Sequence, residues 1–198
     1  MIKLIISDLC GVVFYCEEPP FIKYFARRHN LSEEIVDEIF SSQMKRAEKG
    51  EIPLKQAIGN FLENFNNEAS AEETLLKLIS FKRLNNDTLG LLKRLKKGYK
   101  LAYLTNSSVE LMMLSEERMP IKQYFDFGII SAQINARKPD PKGFTLILEH
   151  FKAEPEETVF IDDAAKNLTN AEEMGIKTIL FEDATQLENE LKKCGVKA

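Results

Sequence analysis

A chain of 198 residues, 44% of them apolar, can bury the core of one domain plus a small insertion without help from disulfides. Its three cysteines, Cys10, Cys16 and Cys194, are odd in number and lack metal-site spacing, and no segment has signal-like or membrane-spanning apolar length; a reduced, cytoplasmic protein outside the membrane is expected. The net charge of -4 speaks against nucleic-acid binding, because affinity for a phosphate backbone accumulates from Lys and Arg.

The chain opens on Ile2-Lys3-Leu4-Ile5-Ile6-Ser7, an apolar run of strand length that stops at Asp8, with Gly11 three residues on. Such a run predicts a buried parallel strand that delivers Asp8 to the carboxyl edge of a sheet, where open α/β sheets bind their ligands. Residues 14–20 read as a short irregular passage. Residues 19–28, 32–49, 53–65 and 70–83 then carry apolar side chains at helical spacing, with Ser32 and Ser70 placed as N-caps and Glu33 and Glu34 suited to a helix dipole. Four helices with no strand among them predict a compact insertion.

From residue 87 the period changes: helices over 87–97, 108–119, 141–151, 164–174 and 185–194 alternate with strands over 99–105, 127–131, 158–161 and 177–181. This alternation predicts an α/β fold, a Rossmann-like parallel sheet core of three α/β/α layers. The small all-helical insertion follows the first strand directly and is expected over the carboxyl edge as a cap. Residues 1–15 and 85–198 would form the core and 16–84 the cap.

Three more strand ends fall on the edge that holds Asp8. Leu104-Thr105-Asn106-Ser107-Ser108 offers hydroxyls, an amide and main-chain donors to a phosphate oxygen; a plain N-cap for the next helix is the alternative. Lys138 stands in Ala136-Arg137-Lys138-Pro139-Asp140-Pro141, a loop stiffened by two prolines, with a solvated loop lysine as the alternative. Phe160-Ile161-Asp162-Asp163 ends a buried strand in adjacent carboxylates. Brought near Asp8, these carboxylates would raise each other's pKa unless a cation joined them, and a hard divalent ion such as Mg²⁺ removes that cost.

In this order the pieces, with Asn167 and Gly175 downstream, resemble the haloacid dehalogenase superfamily of hydrolases over essentially the whole chain. The Arg-Lys-Pro-Asp-Pro and Asp-Asp segments are most similar to the capped branch holding glucose-1-phosphate phosphatases and the phosphatase-like amino-terminal domain of epoxide hydrolases. The resemblance implies a Mg²⁺-dependent phosphatase acting on a small phosphorylated metabolite. Asp8 would be the nucleophile that forms an aspartyl-phosphate; Thr105, Asn106 and Lys138 would bind the phosphoryl group, with Lys138 also steadying Asp8. Asp163 would bind Mg²⁺ beside Asp8 and the main-chain carbonyl of Cys10, and Asp162 would act through water.

Phosphatases of this superfamily usually carry a second aspartate, the general acid and base, two residues after the nucleophile; here that position is Cys10. A thiol is a weak donor, so activity is expected mainly on phosphates with good leaving groups. A non-catalytic phosphometabolite-binding protein is the alternative. A metal-independent dehalogenase is a third reading, against which the Asp162-Asp163 pair stands. Cys10 lacks the surrounding donors and arginine that a cysteine nucleophile needs, and Cys16 and Cys194 read as packing or surface thiols. Tyr15, Glu17, Lys45, Arg46 and Glu48 are candidates for the cap side chains that set specificity; Lys45 or Arg46 would meet a second anionic group of the substrate, with a solvated helix face as the alternative. Oligomeric state leaves no mark in the sequence.

Overall fold

The computed structural model describes residues 1–15, 18–65, 67 and 69–197, so Cys16 and Glu17 lie outside the described residues. In chain order the elements are β1 (Leu4–Ser7), β2 (Phe14–Tyr15), α1 (Glu18–His29), α2 (Glu33–Glu48), α3 (Leu54–Glu63), α4 (Ala71–Ser80) and β3 (Arg83–Leu84). There follow α5 (Asn86–Leu95), β4 (Lys100–Thr105), α6 (Val109–Arg118), β5 (Phe127–Ile130), α7 (Ser131–Ile134) and α8 (Lys142–Phe151). The chain closes with β6 (Thr158–Asp162), α9 (Thr169–Glu173), β7 (Lys177–Leu180) and α10 (Ala184–Lys193). Among the described residues no helix is long and apolar enough to cross a membrane.

Five strands form one sheet in the order β5-β4-β1-β6-β7, every neighbouring pair parallel. The chain runs outward from β1 to β4 and β5, then returns to the other side for β6 and β7. The strand order therefore reverses at β1, and a reversal of this kind opens a crevice at the carboxyl edge. Ser7 pairs with Tyr103 of β4 and Ile161 of β6, so Asp8 leaves the sheet between the ends of both neighbours.

Alternation along the strands divides the core in two. Ile5, Leu101, Tyr103, Val159 and Ile161 face one layer, built with Leu92 and Leu95 of α5 and Leu187 and Leu191 of α10. Leu4, Ile6, Ala102, Leu104 and Phe160 face the other, built with Phe144 and Ile147 of α8 and Ala171 of α9. A sheet buried on both faces has continuous apolar strands, which is why β1, β4 and β6 were readable as short apolar runs. The three-layer α/β/α core expected from the sequence is thus the observed one.

Helices α1 to α4 hold a core of their own. Phe21, Phe40 and Phe61 meet at its centre, with centroids 5.0 Å apart for Phe21 and Phe40 and an edge contact of 5.3 Å between Phe40 and Phe61. Each such aromatic contact adds about 0.5–1.5 kcal/mol beyond the area buried. Leu111 of α6 completes this cluster from the sheet side, and Glu110 accepts from the N–H of Leu54 at the start of α3 at 3.3 Å.

The expected elements and the observed ones part at four places. Phe14 and Tyr15 pair antiparallel with Leu84 and Arg83, making a two-stranded ribbon where an irregular passage and the end of a helix were expected. The ribbon carries both crossings between the sheet and the helical insertion. The helix expected over 164–174 divides into a 3-10 turn at Ala165–Asn167 and α9. The strand expected over 127–131 yields Ser131 to α7. Ser70 closes a full capping box with Glu73, whereas Ser32 sits at its N-cap position without a side-chain capping bond.

Candidate active site

Asp8 follows β1 directly and is 6% exposed. Its N–H donates to Ile161 O at 2.8 Å, continuing the β1-β6 ladder by one residue, and its Oδ1 accepts from the N–H of Leu9 at 2.7 Å. A turn follows in which Gly11 N–H donates to Phe14 O at 2.7 Å while Gly11 holds φ +85°. Only glycine adopts that conformation without strain. A Cβ at this position would also overlap the Asp163 carboxylate, so the bare backbone of the turn forms the seat of Asp163.

Lys138 reaches the same point from the far side of β4. Its ammonium lies 2.7 Å from Asp8 Oδ1 and 2.5 Å from Asp162 Oδ2, and the residue is only 5% exposed. Its loop is fixed by Asn106: the Lys138 N–H donates to Asn106 Oδ1 at 2.8 Å, and Asn106 Nδ2 donates to Lys138 O at 3.4 Å. The Lys138-Pro139 peptide is cis. The solvated loop lysine set beside this reading does not occur: Lys138 is buried between two carboxylates. Thr105 ends β4 and is buried, and Ser108, not Thr105 or Asn106, caps α6 by accepting from the N–H of Leu111 at 3.1 Å.

Asp162 ends β6 fully buried, and its other oxygen, Oδ1, accepts from the N–H of Ala164 and from Asn167 Nδ2, both at 2.9 Å. Asp163 beside it is exposed. Cys10 is half-buried in the turn after Asp8.

One carboxylate oxygen each from Asp8, Asp162 and Asp163 lie within 4.8 Å of one another. Three carboxylates thus meet one ammonium, and the electrostatics follow. Burial lifts the Asp8 carboxyl from its ordinary 3.8 to about 7, with Lys138 pulling it down and Asp162 pushing it up. Burial disfavours the Lys138 charge, but Asp8 and Asp162 overcome it and raise its pKa. Asp163, exposed at the residue level, is raised by partial desolvation of its carboxyl and then by Asp162. Hard oxygen donors with uncompensated negative charge, arranged around a glycine turn, fit a small hard divalent cation such as Mg²⁺.

Of the cap candidates, Glu48 is buried against Arg137, with its Oε2 2.5 Å from Arg137 Nε. Burial raises its pKa, while Arg137 lowers it. Lys45 is exposed, Arg46 is exposed with its Nε 3.8 Å from Glu51, and Tyr15 lies in the ribbon, half exposed, under the guanidinium of Arg83. The Glu48-Arg137 pair, Ser131 and the seat formed by Gly11 were not anticipated. Glu48 and Arg137 are 89 positions apart, and no local spacing announces such a pair.

Known proteins resemble this chain in sequence and in fold. The family profile described as haloacid dehalogenase-like hydrolase matches residues 18–181. The bifunctional epoxide hydrolase 2 of Sus scrofa is 34% identical over 136 residues, which are 66% of this chain and 24% of that protein. This chain therefore spans about a quarter of that relative's length. The D-ribitol-5-phosphate phosphatase of Bacteroides thetaiotaomicron is 24% identical over 200 residues, 96% of this chain and 97% of the relative. A solved HAD family enzyme from the same organism, in complex with magnesium and inorganic phosphate, superposes with a TM-score of 0.75 at 25% identity, over 92% of this chain and 96% of that one.

Proposed function

Because the chain belongs to the haloacid dehalogenase-like hydrolase family, we propose that it is a Mg²⁺-dependent phosphatase of small phosphorylated metabolites, working through an aspartyl-phosphate on Asp8. The observation that carries this reading is the meeting of Asp8 with Lys138, at 2.7 Å, and with the carboxylates of Asp162 and Asp163 at one sheet edge. Asp8 attacks phosphorus, the bond from phosphorus to the leaving oxygen breaks, and that oxygen takes a proton from water. A second water then attacks the phosphorus of the aspartyl-phosphate, giving up its proton to the hydroxide left by the first step, and the bond from phosphorus to the Asp8 oxygen breaks, releasing inorganic phosphate and regenerating Asp8. Thr105 and Asn106 hold the phosphoryl oxygens, and Lys138 balances their charge in a site where water screens little. Asp8, Asp163 and the main-chain carbonyl of Cys10 would hold Mg²⁺, with Asp162 assisting through water, and the ion would neutralise charge on the phosphoryl group. The names of full-length relatives support sugar and polyol phosphates as the substrate class.

Phosphate release from a panel of acetyl phosphate, an aryl phosphate, glucose-1-phosphate and alkyl sugar phosphates tests this, with and without Mg²⁺ and with Asp8→Asn as the blank. Mg²⁺-dependent release that vanishes in the blank is expected; no release above the blank from any member of the panel would end the phosphatase reading. One observation favours a second reading, a protein that binds phosphometabolites without turning them over: the thiol of Cys10 stands where an acid and base is needed. Cys10→Asp is expected to raise turnover of esters with poor leaving groups by about 10²- to 10⁴-fold. Equal wild-type turnover of alkyl and aryl phosphates would contradict the weakness assigned to Cys10.

A further inference from the structure

The C-terminal turn of α2 holds both loops of the candidate site at once. The main-chain oxygen of Glu48 accepts from Ser131 Oγ at 2.6 Å, and Ser131 Oγ accepts from the N–H of Ser107 at 3.0 Å. Ser107 follows Thr105 and Asn106. The Glu48 carboxylate accepts from Arg137 Nε at 2.5 Å, one residue before Lys138. Asn135 Nδ2 donates to Lys49 O at 2.9 Å, and Gly50 closes the turn at φ +69°, where a Cβ would come within 2.7 Å of Ala132 O. The helical insertion is thereby tied to the loop after β4 and to the loop that carries Lys138.

The choice of residue at position 48 is informative. The last turn of a helix favours a cation, and the rest of this turn follows the rule with exposed Lys45 and Arg46. Glu48 breaks it: a carboxylate at the negative end of the helix, only 8% exposed, is held there against both the dipole and desolvation. Its contact with Arg137 does most to offset these costs, with smaller help from the charges of Lys45 and Lys138, so the position answers chiefly to what Arg137 does. Asn106 already fixes the Lys138 main chain from the other side, at 2.8 Å. The residue before Lys138 is thus gripped by the insertion and Lys138 itself by the loop after β4.

We infer that Glu48 is a positioning residue of this site, acting through Arg137 and Ser131 so that docking of the helical insertion sets the alignment of Lys138 and of the Thr105-Asn106 loop. The inference rests on the phosphatase reading above. Asp162 is also held by the N–H of Ala164 and by Asn167, and Asp163 takes its place from Gly11, contacts that do not pass through Lys138, so metal binding should depend on Glu48 much less than phosphate binding does.

The test is a double-mutant cycle of Glu48→Gln and Arg137→Met, with Arg137→Lys replacing the latter should it fail to fold. Three quantities are read: affinity for inorganic phosphate in saturating Mg²⁺, kcat on the best ester of the panel, and affinity for Mg²⁺ alone, the binding measurements by calorimetry. Each single variant is expected to bind phosphate about 3- to 30-fold more weakly and to lose about 10- to 100-fold in kcat. Mg²⁺ affinity should fall much less than phosphate affinity, whereas general loss of structure would lower both together. The double variant should be little worse than either single one, because the two residues act as a unit. Wild-type phosphate affinity and kcat in the single variants, additive losses in the double, or a parallel fall in Mg²⁺ affinity would each overturn the inference. A wild type that binds phosphate but hydrolyses no member of the panel removes the phosphatase reading and leaves the inference to stand on phosphate affinity; a wild type that binds none overturns both.

Discussion

Gly11 concentrates the physics of the site in one missing side chain. Its φ of +85° is a conformation L-residues rarely hold, and the space beside it is taken by the Asp163 carboxylate. Gly11→Ala must therefore both strain the turn after Asp8 and push Asp163 away from it. Calorimetry on this variant is expected to read Mg²⁺ affinity lowered by about 10- to 100-fold, the range seen when a ligand's supporting contacts are lost. Gly98→Ala is the matched control, because a Cβ there meets nothing within 4 Å, and it should leave affinity unchanged. Equal affinities in the two variants would show that the turn does not seat a metal ligand. Asp8 and Asp162 were legible because each ends a short apolar run abruptly in a carboxylate. The crowding of Gly11 against Asp163 was not, since their approach across 152 positions of chain depends on the register of β1 with β6.

Among the elements, capping separates what a pattern promises from what a structure delivers. Ser32 and Ser70 look alike in sequence, each preceding acidic residues and a helical period. Ser70 accepts from the N–H of Glu73 at 3.1 Å while Glu73 accepts from the N–H of Ser70 at 3.1 Å; Ser32 makes no side-chain cap bond. Ser70→Ala should lower stability by about 1 kcal/mol, and Ser32→Ala by no more than about 0.5 kcal/mol, both read by urea denaturation. Matching losses would mean that Ser32 caps its helix in solution after all. The β2-β3 ribbon escaped the sequence reading for a related reason: two residues per strand are too few to express a period. Likewise the four residues of α7 and the 3-10 turn before α9 are shorter than any window in which helical spacing can be counted.

At the level of the whole molecule, the helical insertion and the sheet have hydrophobic clusters of their own, joined through Leu111 of α6 and by polar contacts that include the Glu48-Arg137 ion pair. Burial raises the Glu48 pKa above its ordinary 4.5, and Arg137 offsets only part of that. A carboxyl whose pKa is raised by folding contributes stability that is complete below 4.5 and is lost as pH rises through the raised value, because the folded state then holds the extra proton. The stability of the wild type minus that of Glu48→Gln should therefore fall as pH increases across that window. Denaturation of both proteins at a series of pH values tests this, and a difference that is flat or grows with pH would mean that Arg137 outweighs burial. By itself the sequence determined the layered parallel sheet, the helical character of the insertion and the strand ends bearing Asp8, Thr105, Asp162 and Asp163. Those features are written in local periods, and a strand buried on both faces can end a polar residue only at an edge. Tertiary structure alone decided that Lys138 is shared by Asp8 and Asp162, that Asp163 rests on Gly11, and that Glu48 reaches Arg137. Each of these joins residues far apart in the chain, and only strand order and helix docking bring such residues within reach of a hydrogen bond.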